Sequence, residues 1–190
     1  GRPYAERMMG LLSDLAAQPQ FEDDPHPLLT PREISKIGVI VITPDRGLTG
    51  GLNTSVNRFA AQHILQSGHE AEVVAVGKKA RDFFARTSNL KAVFTDIGDR
   101  PSVDVVTPIA KVMVDEYLEG NIDAVFVIYS KYINTTVQKP ESIAILPVQP
   151  AELESKDKVG YIYEPDSSEV LSELVPRYIE MEIYHSILES

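Results

Sequence analysis

Apolar residues fall along this chain in two alternating rhythms: short β-branched runs with no polar face, and longer stretches with an apolar residue every three or four positions. The short runs are Ile37 to Thr43, Val73 to Val76, Ala92 to Ile97 and Ala124 to Tyr129. Each has the length of a strand, and the lack of polar alternation implies cover on both faces. Between them, Thr54 to Gln66, Lys78 to Arg86 and Ser102 to Leu118 carry helical spacing. Buried strands alternating with helices predict an α/β fold, a mostly parallel sheet flanked by helices. The last third breaks the rhythm. Ser142 to Val148 reads as another strand, and only a turn-like Asn134 to Pro140 separates it from the strand before. That gap is too short for a crossover helix, so this strand is expected to return antiparallel, as an edge on which Pro140 and Pro147 are tolerated.

Helical spacing also marks both ends. Tyr4, Met8, Leu11, Leu12 and Leu15 predict an amphipathic helix over residues 4 to 17, stopping before Pro19. Gln18 to Ser35 is rich in proline and acid and reads as a linker or surface loop. At the other end, Asp166 and Glu169 resemble a capping box just after Pro165. Leu171, Tyr178 and His185 then fall seven residues apart, as do Leu174, Met181 and Leu188, the a and d positions of a coiled-coil face. Val175, Ile179, Ile183 and Ile187 add a second ridge at four-residue spacing. Such a wide stripe either packs on the chain's own sheet or pairs with the first helix. Pro176 predicts a kink, or a break with a new helix opening at the proline. The pattern is still running at Ser190, and the chain opens mid-pattern with no initiator Met, so a piece of a longer protein is expected. The expected organisation is a helix stub at 1–18, a linker at 19–35, an α/β domain at 36–165 and a second helix stub at 166–190.

Composition narrows the function classes. A chain of 190 residues supports one main core. No apolar run approaches the ~20 residues of a membrane span, so direct insertion is not expected. The absence of cysteine removes disulfides and thiolate metal sites and fits a cytoplasmic-type compartment. The net charge of −10 is uneven: residues 36–150 hold twelve basic and twelve acidic groups, whereas 151–190 hold three basic and ten acidic. A neutral domain without a Lys/Arg stripe lacks the footprint of a nucleic-acid binder.

The candidate chemistry centres on the loop after the first strand, where Asp45, Arg46, Gly47, Leu48, Gly50, Gly51 and Asn53 crowd together. Glycines ahead of a helix that Asn53 or Thr54 could start would suit an anion. The dinucleotide fingerprint fails, because Thr49 stands where its second glycine belongs, and the P-loop fails, because neither Gly50 nor Gly51 precedes a lysine. A structural turn is the stronger reading, with Gly50 and Gly51 supplying positive φ and Asp45 accepting from loop amides or pairing with Arg46. A phosphate-ligand or nucleotide-binding enzyme using this loop is the alternative. A receiver-type acid pocket of Asp45, Asp96 and Asp99 lacks its second acid after the first strand. His26, His63, His69 and His185 form no ligand-spaced pair, and no serine sits in a nucleophile elbow. No catalytic residue, cofactor or metal is expected.

The run from Asp45 to Thr54 resembles the D-R-G-L-x-G-x-x-N signature of the gamma subunit of F-type, proton-translocating ATP synthases. Tyr161-Ile162-Tyr163-Glu164-Pro165-Asp166 and the stretch from Arg177 to Ser190 agree with the same family, in the same order. The resemblance implies a Rossmann-like α/β domain carrying stubs of an antiparallel coiled coil from the two termini. It implies a central-stalk rotor that passes proton-driven rotation of the membrane c ring to the catalytic head of alpha and beta subunits, with no active site of its own. Its implied partners are the epsilon subunit, the c ring and the alpha and beta subunits, with Tyr161 and Tyr163 near the c-ring and epsilon junction. A peripheral place on the cytoplasmic or equivalent face of the energy-transducing membrane follows. The chain lacks the family's basic first helix and the A-S-E-x-x-x-R-M region expected after Ser190. With most of the shaft absent, the exposed apolar stripe makes self-association an expectation.

Overall fold

The computed structural model describes residues 3, 6–11, 26–44, 50–87, 89–97, 101–149 and 167–190, with residues 50–54 and 167–171 described by backbone alone. In chain order the elements are β1 (Lys36–Ile42), α1 (Gly50–Ser67), β2 (Glu70–Val76), α2 (Lys78–Phe84), β3 (Leu90–Phe94), α3 (Val103–Leu118), β4 (Ala124–Asn134), β5 (Val137–Leu146) and α4 (Ser167–Glu189). Residues 6–11 are helical, and a 3-10 turn spans Pro27–Leu29.

The strands form one sheet in the order β3-β2-β1-β4-β5. β1 pairs in parallel with both β2 and β4, and β2 in parallel with β3, while β5 returns antiparallel along β4 as the edge the sequence predicts. Every residue from Ile37 to Ile42 is buried, and alternate side chains serve opposite faces. Ile37, Val39 and Val41 pack with Val56 and Ala60 of α1 and with Ala80 and Phe84 of α2. Ile40 and Ile42 join Met113 and Tyr117 of α3, Val175, Ile179 and Ile183 of α4, and Met8 on the other face. Gly38 brings α3 close to β1: a Cβ there would stand 2.7 Å from Ile122 Cδ1 and 2.8 Å from Met113 Sδ.

Several boundaries depart from the sequence reading. α1 opens at Gly50, so Gly50, Gly51 and Asn53 lie in its first turns and Thr54 does not start it. β3 ends at Phe94, short of the expected Ile97. The stretch expected as a turn, Asn134 to Pro140, shrinks to residues 135–136, and Pro140 lies within β5 opposite Ser130. Asn134 Oδ1 holds this tight turn by accepting from the Thr136 amide and hydroxyl, each at 2.9 Å. The cause of the misreading is geometric. β4 runs on beyond Ile128, its last residue paired with β1, so among the described residues the outer half of the hairpin has no neighbouring strand on that side and no buried apolar run to announce it. Pro176 neither breaks α4 nor opens a second helix, since one helix runs from Ser167 to Glu189. Its ring deletes a single backbone donor, while buried Val175 and Ile179 on either side seat the helix on the sheet.

Candidate functional site

In an open α/β sheet a ligand has its natural place beyond the carboxyl ends of the strands where the strand order reverses, which here is between β1 and β4. On the β2 side of that point, the described residues beyond the ends of β1 and β2 are committed to one another. The Thr43 amide donates to Val76 O at 2.8 Å, extending the ladder one residue past β1, and its hydroxyl accepts from the Ala80 amide at 3.1 Å. The Thr43 hydroxyl thus fills the N-terminal position of α2 that an anion would otherwise take. Gly77, at φ +108°, lies so close beneath it that a Cβ would meet Thr43 O at 2.1 Å. Asn57 Nδ2 reaches Lys79 O at 3.2 Å and ties α1 to α2. Asp96, at φ 61°, pairs with Lys78 at 3.2 Å, and that ammonium holds its carboxyl below the usual aspartate range. Among the described residues no group of three or more His, Asp or Glu side chains could hold a metal ion. Asp45, Arg46, Gly47, Leu48 and Asp99 lie outside the described residues, as does the side chain of Asn53. The structure therefore shows the frame of the signature loop and not the loop itself.

The second candidate surface is built by the terminal helices. Met8 is buried in one cluster with Val175, Ile179, Ile183 and Tyr129, and Met9 and Leu11 pack against it. The helical N-terminal residues and α4 also share a groove of about 370 Å³, lined by Glu6, Met9, Tyr129, Ile143, Tyr178 and His185 among others. Of the six heptad positions, Leu174 and Tyr178 pack at the margin of the core, Met181 and His185 are half-buried, Leu188 is 44% exposed, and the Leu171 side chain lies outside the described residues. The ridge that faces the sheet is the four-residue one, Val175, Ile179 and Ile183. Burial pushes the Tyr178 hydroxyl above its ordinary pKa, and the Glu182 carboxylate beside it adds to the shift. Tyr161 and Tyr163 lie outside the described residues.

A third feature has no counterpart in the sequence reading. The described end of the proline-rich stretch, residues 26–35, is fastened to the domain. Leu28 is 2% exposed, and its carbonyl accepts from the Val148 amide at 2.9 Å. His26 Nδ1 accepts from the Leu28 amide at 3.2 Å, which leaves Nε2 to meet Ser172 Oγ of α4 at 3.1 Å, and burial lowers the His26 pKa. Arg32 donates to Asp123 Oδ1 at 2.9 Å and to Tyr117 O at 2.8 Å, also reaches Ile122 O, and stacks 4.1 Å above the Tyr117 ring. His63 is likewise structural: Nε2 meets Ser142 Oγ at 3.1 Å and the ring sits edge-on to Phe126.

Comparison with known proteins agrees with this geometry. The family model described as ATP synthase matches residues 1–190. The ATP synthase gamma chain of Dehalococcoides mccartyi (strain 195) is 44% identical over the whole of this chain, which spans 67% of that protein. The gamma chain of Pelotomaculum thermopropionicum is 40% identical, with 66% of its length covered. Among solved structures, a central-stalk/c-ring chain of Tetrahymena thermophila mitochondrial ATP synthase superposes with a TM-score of 0.68 at 19% identity, covering 98% of this chain and 89% of its own. A rotor chain of the Euglena gracilis enzyme gives 0.55 at 16% identity, covering 99% and 78%. The two structures share the α/β fold. Identity at this level along the full chain, joined to that fold, places the chain in the ATP synthase gamma-chain family.

Proposed function

We propose that this chain is the globular part of a central-stalk rotor subunit in an F-type ATP synthase. It couples proton-driven rotation of the membrane c ring to ATP synthesis in the alpha/beta head, and it carries no catalytic group of its own. The observation that bears most weight is the 44% identity to a gamma chain across every residue of this sequence. Two features of the fold support a mechanical role. The rim at the carboxyl ends of β1, β2 and β3 is knit to itself through Thr43, Gly77 and Ala80, which stiffens the flank of the β1–β4 reversal. The helical residues near the N-terminus lie beside α4 on one face of the sheet, as the two arms of a shaft would at its root. Among the described residues no helix is long and apolar enough to cross a membrane, in keeping with peripheral attachment through partners. Those partners are the epsilon subunit and the c ring at the foot, with Tyr161 and Tyr163 near that junction, and the alpha and beta subunits around the shaft. On this reading Leu171, Leu174, Tyr178, Met181, His185 and Leu188 face the opposing arm, and the Asp45–Asn53 segment shapes the domain.

Mixing the chain with the matching epsilon subunit and running gel filtration at tens of micromolar tests the assignment. A single co-eluting complex is expected; two separate peaks from two folded proteins would count against it.

A further inference from the structure

His26 caps the 3-10 turn Pro27–Leu29 and is 8% exposed. Both of its ring nitrogens are engaged. Nδ1 accepts from the Leu28 amide at 3.2 Å, and Nε2 lies 3.1 Å from Ser172 Oγ of α4, 146 positions away along the chain. An amide N–H can only donate, so the first bond requires a bare Nδ1 and places the single proton of the ring on Nε2, which donates to the Ser172 hydroxyl. One protonation state satisfies the contact. A second proton would turn Nδ1 into a donor facing the Leu28 N–H, and would set a charge where water scarcely reaches. The rest of the turn does not depend on the ring. The His26 carbonyl accepts from the Leu29 amide at 3.0 Å and from the Thr30 hydroxyl at 2.8 Å, and the carbonyl of buried Leu28 accepts from the Val148 amide at 2.9 Å. Leu28 is therefore a fixed point, and His26 joins the segment ahead of it to α4.

We propose that His26 is a pH-sensitive latch: as the neutral ring it fastens the proline-rich segment to α4, and on taking up a second proton it lets that segment go while Leu28 keeps its place. Burial lowers the His26 pKa, the direction the bonding demands. Of the titratable groups on the elements packed against the turn, Glu173 and Arg177 of α4 are exposed, Lys111 and Asp115 of α3 pair with each other at 2.8 Å, and the Tyr117 hydroxyl donates to Thr30 O at 3.3 Å. Asp24 and the Glu169 side chain lie outside the described residues. A lowered folded pKa gives a contribution that is complete above the unfolded value of 6.5 and is lost as the pH falls through the folded one. The latch is thus closed at neutral pH and opens in mild acid. The inference rests on bonds within this chain and is independent of the rotor assignment.

Nitrogen-15 spectra of the intact chain, titrated from pH 8 to pH 4, read the ring itself. The Nε2–H tautomer at neutral pH and a pKa below 6.5 are expected; the Nδ1–H tautomer, or a pKa at or above 6.5, would overturn the latch. Hydrogen exchange at the Leu28 amide, corrected for its intrinsic pH dependence, reads the opening. Protection is expected to fall about tenfold for each pH unit below the unfolded value until the folded value is reached. His26→Asn, whose side-chain carbonyl caps the turn at every pH, is expected to abolish that fall. Protection in the native chain that stays level from pH 8 to pH 5 would overturn the latch, as would a fall of the same size in the variant.

Discussion

At the scale of single residues, Arg32 shows how a contact can organise the fold and leave no local mark. It sits in a stretch whose composition reads as linker, yet its partners Tyr117, Ile122 and Asp123 lie 85 to 91 positions away along the chain. No window of the sequence contains both ends of those bonds. Asp123 accepts in addition from the Ser35 and Lys36 amides at 2.8 and 3.2 Å. Burial works to raise its carboxyl, but these amides and the Arg32 guanidinium outweigh it and hold the pKa below the usual aspartate range. Arg32→Ala is expected to cost about 1.5–3 kcal/mol in urea denaturation at neutral pH, the range for hydrogen bonds to charged groups. A lowered folded pKa supplies stability above the unfolded value that is lost as the pH falls through the folded one. The Arg32→Ala penalty should therefore shrink in acid, and a penalty that does not change between pH 7 and pH 3 would show that the ion pair contributes little.

At the scale of elements, the apolar rhythm recovers the four parallel strands and the three helices between them, because each is a local run whose burial is written in its own residues. It falters where burial ends. The outer hairpin formed by Lys131 to Asn134 and the start of β5 is exposed, and β-structure there is held by ladder bonds that carry no hydrophobic signature. α4 carries two overlapping apolar stripes, so its pattern alone leaves open which faces the sheet. The structure turns Val175, Ile179 and Ile183 inward, fully buried, and leaves Leu188 at the margin. Ile179→Ala is accordingly expected to destabilise the chain by about 2–5 kcal/mol, the range for truncating a buried isoleucine. Leu188→Ala should cost less than about 1 kcal/mol, since 44% of that residue is already in water. Equilibrium denaturation of the two variants compares them, and equal losses would mean that the heptad stripe is the one seated on the domain. The signature loop itself, Asp45 to Thr49, was conspicuous as sequence and lies outside the described residues, so its role is argued from the frame that Thr43, Gly77 and α1 make around it.

At the scale of the whole molecule, the pieces combine into a block stiffened at one rim and clasped on one face by helices from both ends of the chain. The neutral domain and the acidic last forty residues divide the charge between them, and the arm of the β4–β5 hairpin sets Tyr132 and Ile133 half in solvent, as a body made to be held by other subunits can do. On the proposed rotor role, this sequence transmits force between partners and transforms no reactant. The most direct measurement replaces the corresponding two thirds of a relative's gamma chain with this sequence and follows proton-driven ATP synthesis in membrane vesicles. Synthesis that persists, at a level set by how well the partners fit, is the result the account predicts. An assembled enzyme that hydrolyses ATP at the usual rate but neither pumps protons nor synthesises ATP would contradict it.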